Sequence, residues 1–147
     1  MLSPSQSVII VGMTRLIVPF IQIFALYVVF HGHYSPGGGF QGGALFAASL
    51  ILERLVVGEK AAWSLFPLRW ALPLGLSGVL IFGAIGLFGL TSTGHFLDYS
   101  QLPHSVSTTL AAVRSIGILL IEIGIGIGVC GLLINIMDQL TERGRSS

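Results

Sequence analysis

The stretch Ser35-Pro36-Gly37-Gly38-Gly39-Phe40-Gln41-Gly42-Gly43 decides the fold, because it joins two long apolar runs with very little side-chain bulk. Five of the residues 37–43 are glycines. Glycine reaches backbone conformations that other residues avoid, and it lets a neighbouring backbone come close. Proline is favoured at the first position of a helix. We therefore predict that the second helix begins at Pro36 rather than Gly42, because only the earlier start gives full spanning length.

The composition of the whole chain is typical of a membrane protein. Of the 147 residues, 53% are hydrophobic and 9% are charged, and the mean hydropathy is +0.90. Seven basic residues nearly balance six acidic ones, which gives a net charge of +1 and no excess that would attract nucleic acid. The one cysteine, Cys130, can form no internal disulfide, and no multi-cysteine metal pattern exists.

The apolar runs predict an all-α membrane protein. A bilayer core of about 30 Å requires roughly 20 helical residues. By this measure the chain forms a single integral-membrane domain, residues 1–147, with four transmembrane helices. The predicted spans cover residues 8–30, 36–57, 70–90 and 108–137.

Basic residues indicate the orientation of these spans. Arg54, Lys60 and Arg69 lie at the connection between the second and third spans, and Arg143 and Arg145 lie in the C-terminal tail. The other two connections contain neither lysine nor arginine. Because positively charged loops remain on the cytoplasmic side, we predict that both termini are cytoplasmic and that the glycine run faces outward.

Glycines recur at helical spacing and predict close helix packing. Small residues allow helices to approach where lipid provides no hydrophobic drive for association. The second and third spans carry shorter stripes of the same kind, and we expect so many seams to serve a larger complex as well. The stripe of the fourth span consists of Gly117, Gly124, Gly128 and Gly131.

Glu122 is the strongest candidate for a functional residue. It lies near the middle of the fourth span, where a carboxylate is costly and often marks an ion or proton path. The alternative is a protonated carboxyl that is hydrogen-bonded to a neighbouring helix. Arg15 and Arg114 either extend to the membrane surface or pair with a carboxylate of a partner subunit. Glu53 and Arg54 end the second span and are expected to be ordinary solvated charges.

The sequence offers no pattern for catalysis, metal binding or a cofactor. The four histidines, His31, His33, His95 and His104, fall in the two outward connections. They lack the spacing of a helix-borne ligand pair, so we interpret them as surface residues or as proton buffers at an ion entrance. No nucleophile has an evident base. We therefore expect a membrane protein that is not an enzyme.

The glycine run resembles the P-G-G-G-F-x-G-G signature of the MnhB (MrpB) family, which provides one of the subunits of the Mrp multisubunit sodium/proton antiporters. In outline the resemblance covers nearly the whole chain, with four spans, a histidine-containing turn after the first and a glycine-rich last span. It implies a structural role in helix packing, not a catalytic one, for the signature residues. These are Pro36, Gly37, Gly38, Gly39, Phe40, Gly42 and Gly43.

The resemblance implies an accessory subunit of a hetero-oligomeric Na+/H+ antiporter in a prokaryotic cell membrane. Its partners would be the other antiporter subunits, with Na+ and H+ passing through the complex. Such a subunit is needed for assembly, and whether it also lines part of the cation or proton route stays open. Two alternatives also remain. One is a related membrane subunit of a hydrogenase-type respiratory complex, and the other is an independent small homo-oligomeric membrane protein.

Overall fold

The computed structural model describes residues 7–32, 37–58, 67–93, 95–99 and 109–146, and in this part of the chain the regular structure is entirely helical. The helices are α1 (Val8–His31), α2 (Gly39–Val57), α3 (Ala71–Thr93) and α4 (Leu110–Ser146), with a 3₁₀ turn at Leu68–Trp70 before α3. All four are long and apolar enough to cross a membrane. The predicted all-α fold with four candidate membrane spans is therefore confirmed, whereas the orientation of the termini stays a prediction.

Helix α2 begins at Gly39, within the glycine run and not at Pro36 as predicted. Its N-cap is Gly38, whose φ of +124° is a conformation that only glycine adopts readily. This backbone conformation fixes the start of the helix three residues later than the preference of proline indicates. Residues 33–36, which include Pro36, lie outside the described residues.

Helix α4 continues beyond residue 137, where the predicted span ended. It extends to Ser146, and its apolar part reaches Thr141. The predicted end rested on the charge of Asp138, which is typical of the start of a polar tail. In the structure Asp138 forms an ion pair with Arg54 of α2, so its charge is compensated and the helix packs on past it.

The four helices pack side by side in the order α1, α2, α4, α3, with α1 also touching α4. Helices α2 and α4 run parallel, since Gly43 lies at Gly126 and, further along both helices, Arg54 lies at Asp138. Helix α1 runs antiparallel to α2, and α3 runs antiparallel to α4. A small core of Ala47, Leu50, Ala71 and Ile134 fills the junction of α2, α3 and α4.

Glycines bring α3 and α4 into backbone contact. A Cβ added to Gly78 would lie 2.6 Å from the Cα of Gly128, and one added to Gly131 would lie 2.8 Å from the Cα of Gly75. Such contacts are the usual source of helix association in lipid, where van der Waals packing replaces the hydrophobic effect. The seam between these two helices therefore depends on the absence of side chains at these positions.

Candidate functional site

The carboxylate of Glu122 lies directly against the glycines that connect α1 and α2. A Cβ added to Gly32 would lie 2.6 Å from Oε1 and 2.8 Å from Oε2 of Glu122. A Cβ added to Gly38 would lie 3.2 Å from the same Oε1. The two features that stood apart in the sequence, the glycine run and the membrane carboxylate, are thus one structural unit.

Gly39 completes this arrangement by packing on the backbone of Glu122. A Cβ on Gly39 would overlap the Glu122 carbonyl oxygen and lie 2.9 Å from its Cα. We call Gly32, Gly38 and Gly39 the glycine cradle. Because an alanine at any of the three would collide with Glu122 or push it aside, the cradle sets the position of the carboxylate.

The carboxylate also lies at the N-terminal end of α2. Gly38 is the N-cap of that helix, and the first N–H groups of a helix have no partner within it. The positive end of the helix dipole attracts an anion such as a carboxylate. The local field therefore favours a negative charge at this position, although the residue lies in an apolar helix.

The site lies some distance inside the end of the helical array. From Leu110, the first residue of α4, to Glu122 the helix rises about 18 Å at about 1.5 Å per residue. The connection between α1 and α2 is thus set back from the end of α4. The Glu122 side chain is half-buried, which leaves it partly accessible from this side.

The glycines of the run contact this chain's own helices. Gly42 packs on α1, where its Cβ would lie 2.7 Å from the carbonyl oxygen of Ala25, and a Cβ on Gly43 would lie 2.9 Å from the Cα of Gly126 in α4. The expectation that this seam receives a helix of a neighbouring subunit is therefore wrong for these glycines. Phe40, by contrast, is 65% exposed and points away from the array.

The other predicted site residues occupy separate places. The glycine stripe of α4 is buried, and three of its members face α3. Arg15 and Arg114 are both exposed, on α1 and α4 respectively, so neither belongs to the cradle. The signature residue Gly37 is half-buried, and Pro36 lies outside the described residues. The α4 stripe consists of Gly117, Gly124, Gly128 and Gly131.

A second charged cluster lies at the opposite end of α2. Arg54 Nη2 donates a hydrogen bond of 2.8 Å to Asp138 Oδ1, and the two side chains are 5% and 13% exposed. Glu53 is also buried. The expectation that Glu53 and Arg54 are solvated charges is wrong, because α2 is enclosed between α1 and α4 as far as these residues. An acidic residue late in the fourth span was the only signal in the sequence for such a pair.

The histidines of the described segments do not form a metal centre. His31 is the last residue of α1 and not part of a loop as predicted; its Nδ1 donates to the carbonyl oxygen of Tyr27 at 3.1 Å, and the two rings stack. His33 and His104 lie outside the described residues. Within the described residues, no group of three or more His, Cys, Asp or Glu side chains is placed to hold a metal ion.

An apolar cavity of about 320 Å³ adjoins the glycine seam. Residues from all four helices line it, among them Val29, Phe46, Leu74 and Cys130. A cation moving through a membrane protein needs polar ligands or water, and this lining supplies neither. The cavity is therefore not a route to Glu122.

Comparison with known proteins agrees with the resemblance of the glycine run. A family model described as a domain related to the MnhB subunit of Na+/H+ antiporter matches residues 9–135. A B-type Na+/H+ antiporter subunit of Bacillus subtilis is 32% identical over 133 residues, which is 88% of this chain and 89% of the relative. Two proteins described as antiporter subunit mnhB2 are similar over 96% of this chain and 98% of their own length. That of Staphylococcus epidermidis is 28% identical, and that of Staphylococcus aureus is 29% identical.

Proposed function

The chain belongs to the MnhB family of Na+/H+ antiporter subunits, and from this membership we propose that it is the accessory MnhB subunit of an Mrp-type antiporter in which Glu122 lines part of the cation route. The family match over residues 9–135 supports the first part of this function. The contact between Glu122 and the glycine cradle is the observation that carries the second part.

An accessory role agrees with the ionisable residues that the chain contains. Its single lysine, Lys60, falls in the predicted cytoplasmic connection, so no lysine is available inside a span. A transporter that works alone is expected to hold coupled ionisable groups near mid-membrane. The chain therefore contributes to a path that other subunits complete.

Three features suit Glu122 to contact a passing cation. Its carboxylate is half-buried at a connection set back from the helix ends, where access from one side is retained. The cradle places only backbone next to it, so no bulky side chain of the cradle blocks the approach of an ion. The N-terminal end of α2 favours its charged form, which is the form that attracts a cation.

The environment of the chain follows from the same reasoning. The distribution of basic residues supports cytoplasmic termini, which places the glycine cradle on the outer half of a prokaryotic cell membrane. Large apolar side chains cover the outside of α1, where Val8 is 86% and Ile9 77% exposed. Lipid and the other antiporter subunits are the partners that such a surface requires.

The test compares Glu122→Gln with Asp98→Asn in the complete antiporter, reconstituted in vesicles. The first variant keeps the shape of the side chain and removes its charge. The second removes a carboxylate from the segment 95–99. We expect Glu122→Gln to assemble and to raise the half-saturating Na+ concentration by about tenfold. This corresponds to about 1.4 kcal/mol, near the lower end for a contact with a charged group. Asp98→Asn should leave this concentration unchanged.

Two results would contradict the proposal. Unchanged Na+ dependence and an unchanged pH profile in Glu122→Gln would remove the residue from the cation route. Sodium-coupled proton flux from the purified single chain in liposomes would exclude an accessory role. A complex that contains this chain and shows no Na+/H+ antiport would favour the hydrogenase-type alternative.

A further inference from the structure

The end of α2 opposite the glycine cradle holds a buried carboxylate, that of Glu53. The residue is 8% exposed, and its Oε2 is buried and accepts no hydrogen bond from the described residues. Glu53 lies about 21 Å from Gly39 along the axis of α2, at about 1.5 Å per residue. This site is therefore distinct from Glu122 and independent of the function proposed for it.

The helix register turns Glu53 toward α1. Gly42 packs against the carbonyl oxygen of Ala25, and Glu53 lies about three helical turns further along the same face of α2. Because α1 and α2 are antiparallel, the residue of α1 at the level of Glu53 is Thr14. Thr14 is 7% exposed, and Ser49, one turn before Glu53 on α2, is 1% exposed. Three oxygen-bearing side chains thus follow one buried seam.

The charges around Glu53 do not balance when its carboxylate is ionised. Arg54 on the same helix is paired with Asp138 of α4 at 2.8 Å, so these two charges cancel. From α1, the charged residue at this level is Arg15, whose side chain is exposed. An ionised Glu53 leaves the cluster with one excess negative charge, and a buried uncompensated carboxylate is costly.

We propose that Glu53 binds one monovalent cation, a proton or Na+, which makes the buried cluster of Glu53, Arg54 and Asp138 electrically neutral. The hydroxyls of Thr14 and Ser49 provide neighbouring oxygen atoms, and alkali and alkaline-earth cations prefer oxygen ligands. The Ser49 hydroxyl donates its proton to the carbonyl oxygen of Phe46 at 2.7 Å, which leaves its oxygen lone pairs available. A divalent ion would overcompensate the charge.

The test is an infrared difference spectrum between the complete wild-type complex and the Glu53→Gln complex. The difference isolates the carboxyl bands of Glu53 from those of all other subunits. Spectra are recorded across neutral pH, first with Na+ and then with a bulky organic cation in its place. Thr14→Val, which removes one hydroxyl at nearly constant volume, is recorded under the same conditions.

The outcomes distinguish the two cations. If the ligand is a proton, the difference spectrum contains the carbonyl band of a neutral carboxylic acid, and Na+ and Thr14→Val leave it in place. If the ligand is Na+, the spectrum contains carboxylate bands that shift when Na+ replaces the organic cation, and Thr14→Val moves this shift to higher Na+. Carboxylate bands that respond neither to Na+ nor to pH would overturn the proposal.

Two further variants secure the interpretation. Asp98→Asn removes a carboxylate outside the cluster, so its difference spectrum should contain no Na+-dependent band from this seam. If the Glu53→Gln complex does not assemble, Glu53→Asp supplies the reference spectrum, because its shorter side chain places the carboxylate elsewhere and gives different bands. The same carboxylate bands, unaffected by Na+ and pH, would overturn the proposal in this comparison as well.

Discussion

Substituting alanine for Gly43 tests whether backbone contact between α2 and α4 holds the array together. A Cβ at this position would overlap the carbonyl oxygen of Gly126 and lie 2.9 Å from its Cα and 3.0 Å from its carbonyl carbon. Ordinary carbon contacts are about 3.5–4.0 Å. The obstacle is backbone, which cannot rotate away as a side chain does, so the two helices must separate.

Two glycines of the same chain provide matched controls. A Cβ on Gly12 of α1 or on Gly83 of α3 would meet nothing within 4 Å. All three substitutions gain the same helix propensity, about 1 kcal/mol, and this gain cancels in the comparison. The difference that remains is the cost of overpacking, about 1–3 kcal/mol. Because backbone opposes backbone at Gly43, we expect about 2–3 kcal/mol, the upper part of that range.

The assay is thermal unfolding of the purified antiporter complex, followed by dissociation of this chain from it. A difference of about 2–3 kcal/mol lowers the midpoint temperature by roughly 5–10 °C in a chain of this size. Gly43→Ala should show this decrease relative to both Gly12→Ala and Gly83→Ala. Equal midpoints for the three variants would refute the idea that the glycine run is required for close approach of α2 and α4.

The remaining predictions concern the cradle and the buried ion pair. Gly32→Ala places a methyl group against the Glu122 carboxylate; it should raise the half-saturating Na+ concentration of antiport without loss of assembly, measured in vesicles. Gly38→Ala and Gly58→Ala each force a positive φ on a residue with a Cβ, at a cost of about 1–3 kcal/mol; thermal unfolding should detect both, but only Gly38→Ala should alter Na+ dependence. Arg54→Met should destabilise the complex by about 3–5 kcal/mol because a buried charge loses its partner; adding a second substitution, Leu for the paired aspartate, should restore most of this loss.

The sequence was sufficient to predict the helices because the necessary information is local. About twenty consecutive apolar residues predict a span wherever they occur, and four such runs became α1 to α4. Helix starts are less local. The preference of proline placed the start of α2 at Pro36, whereas Gly38, with its positive φ beside Glu122, places it at Gly39.

Long-range charge pairs could not be predicted in the same way. Arg54 and Asp138 are 84 residues apart, and nothing in either segment indicates that two parallel helices bring them together. Taken alone, Glu53-Arg54 at the end of an apolar run has the pattern of an interfacial pair of charges. Only the packing of α2 between α1 and α4 shows that this pair is buried.

The most direct test of the glycine cradle is a double-mutant cycle between Gly32→Ala and Glu122→Gln, measured as the half-saturating Na+ concentration of the reconstituted antiporter. Glutamine keeps the shape of glutamate, so the added methyl group meets the same obstacle in both backgrounds and only the charge differs. If the cradle acts by positioning a charged carboxylate, the double variant will behave as Glu122→Gln alone. Effects that simply multiply would show that the two residues act independently and would contradict a single site formed by the cradle and the carboxylate.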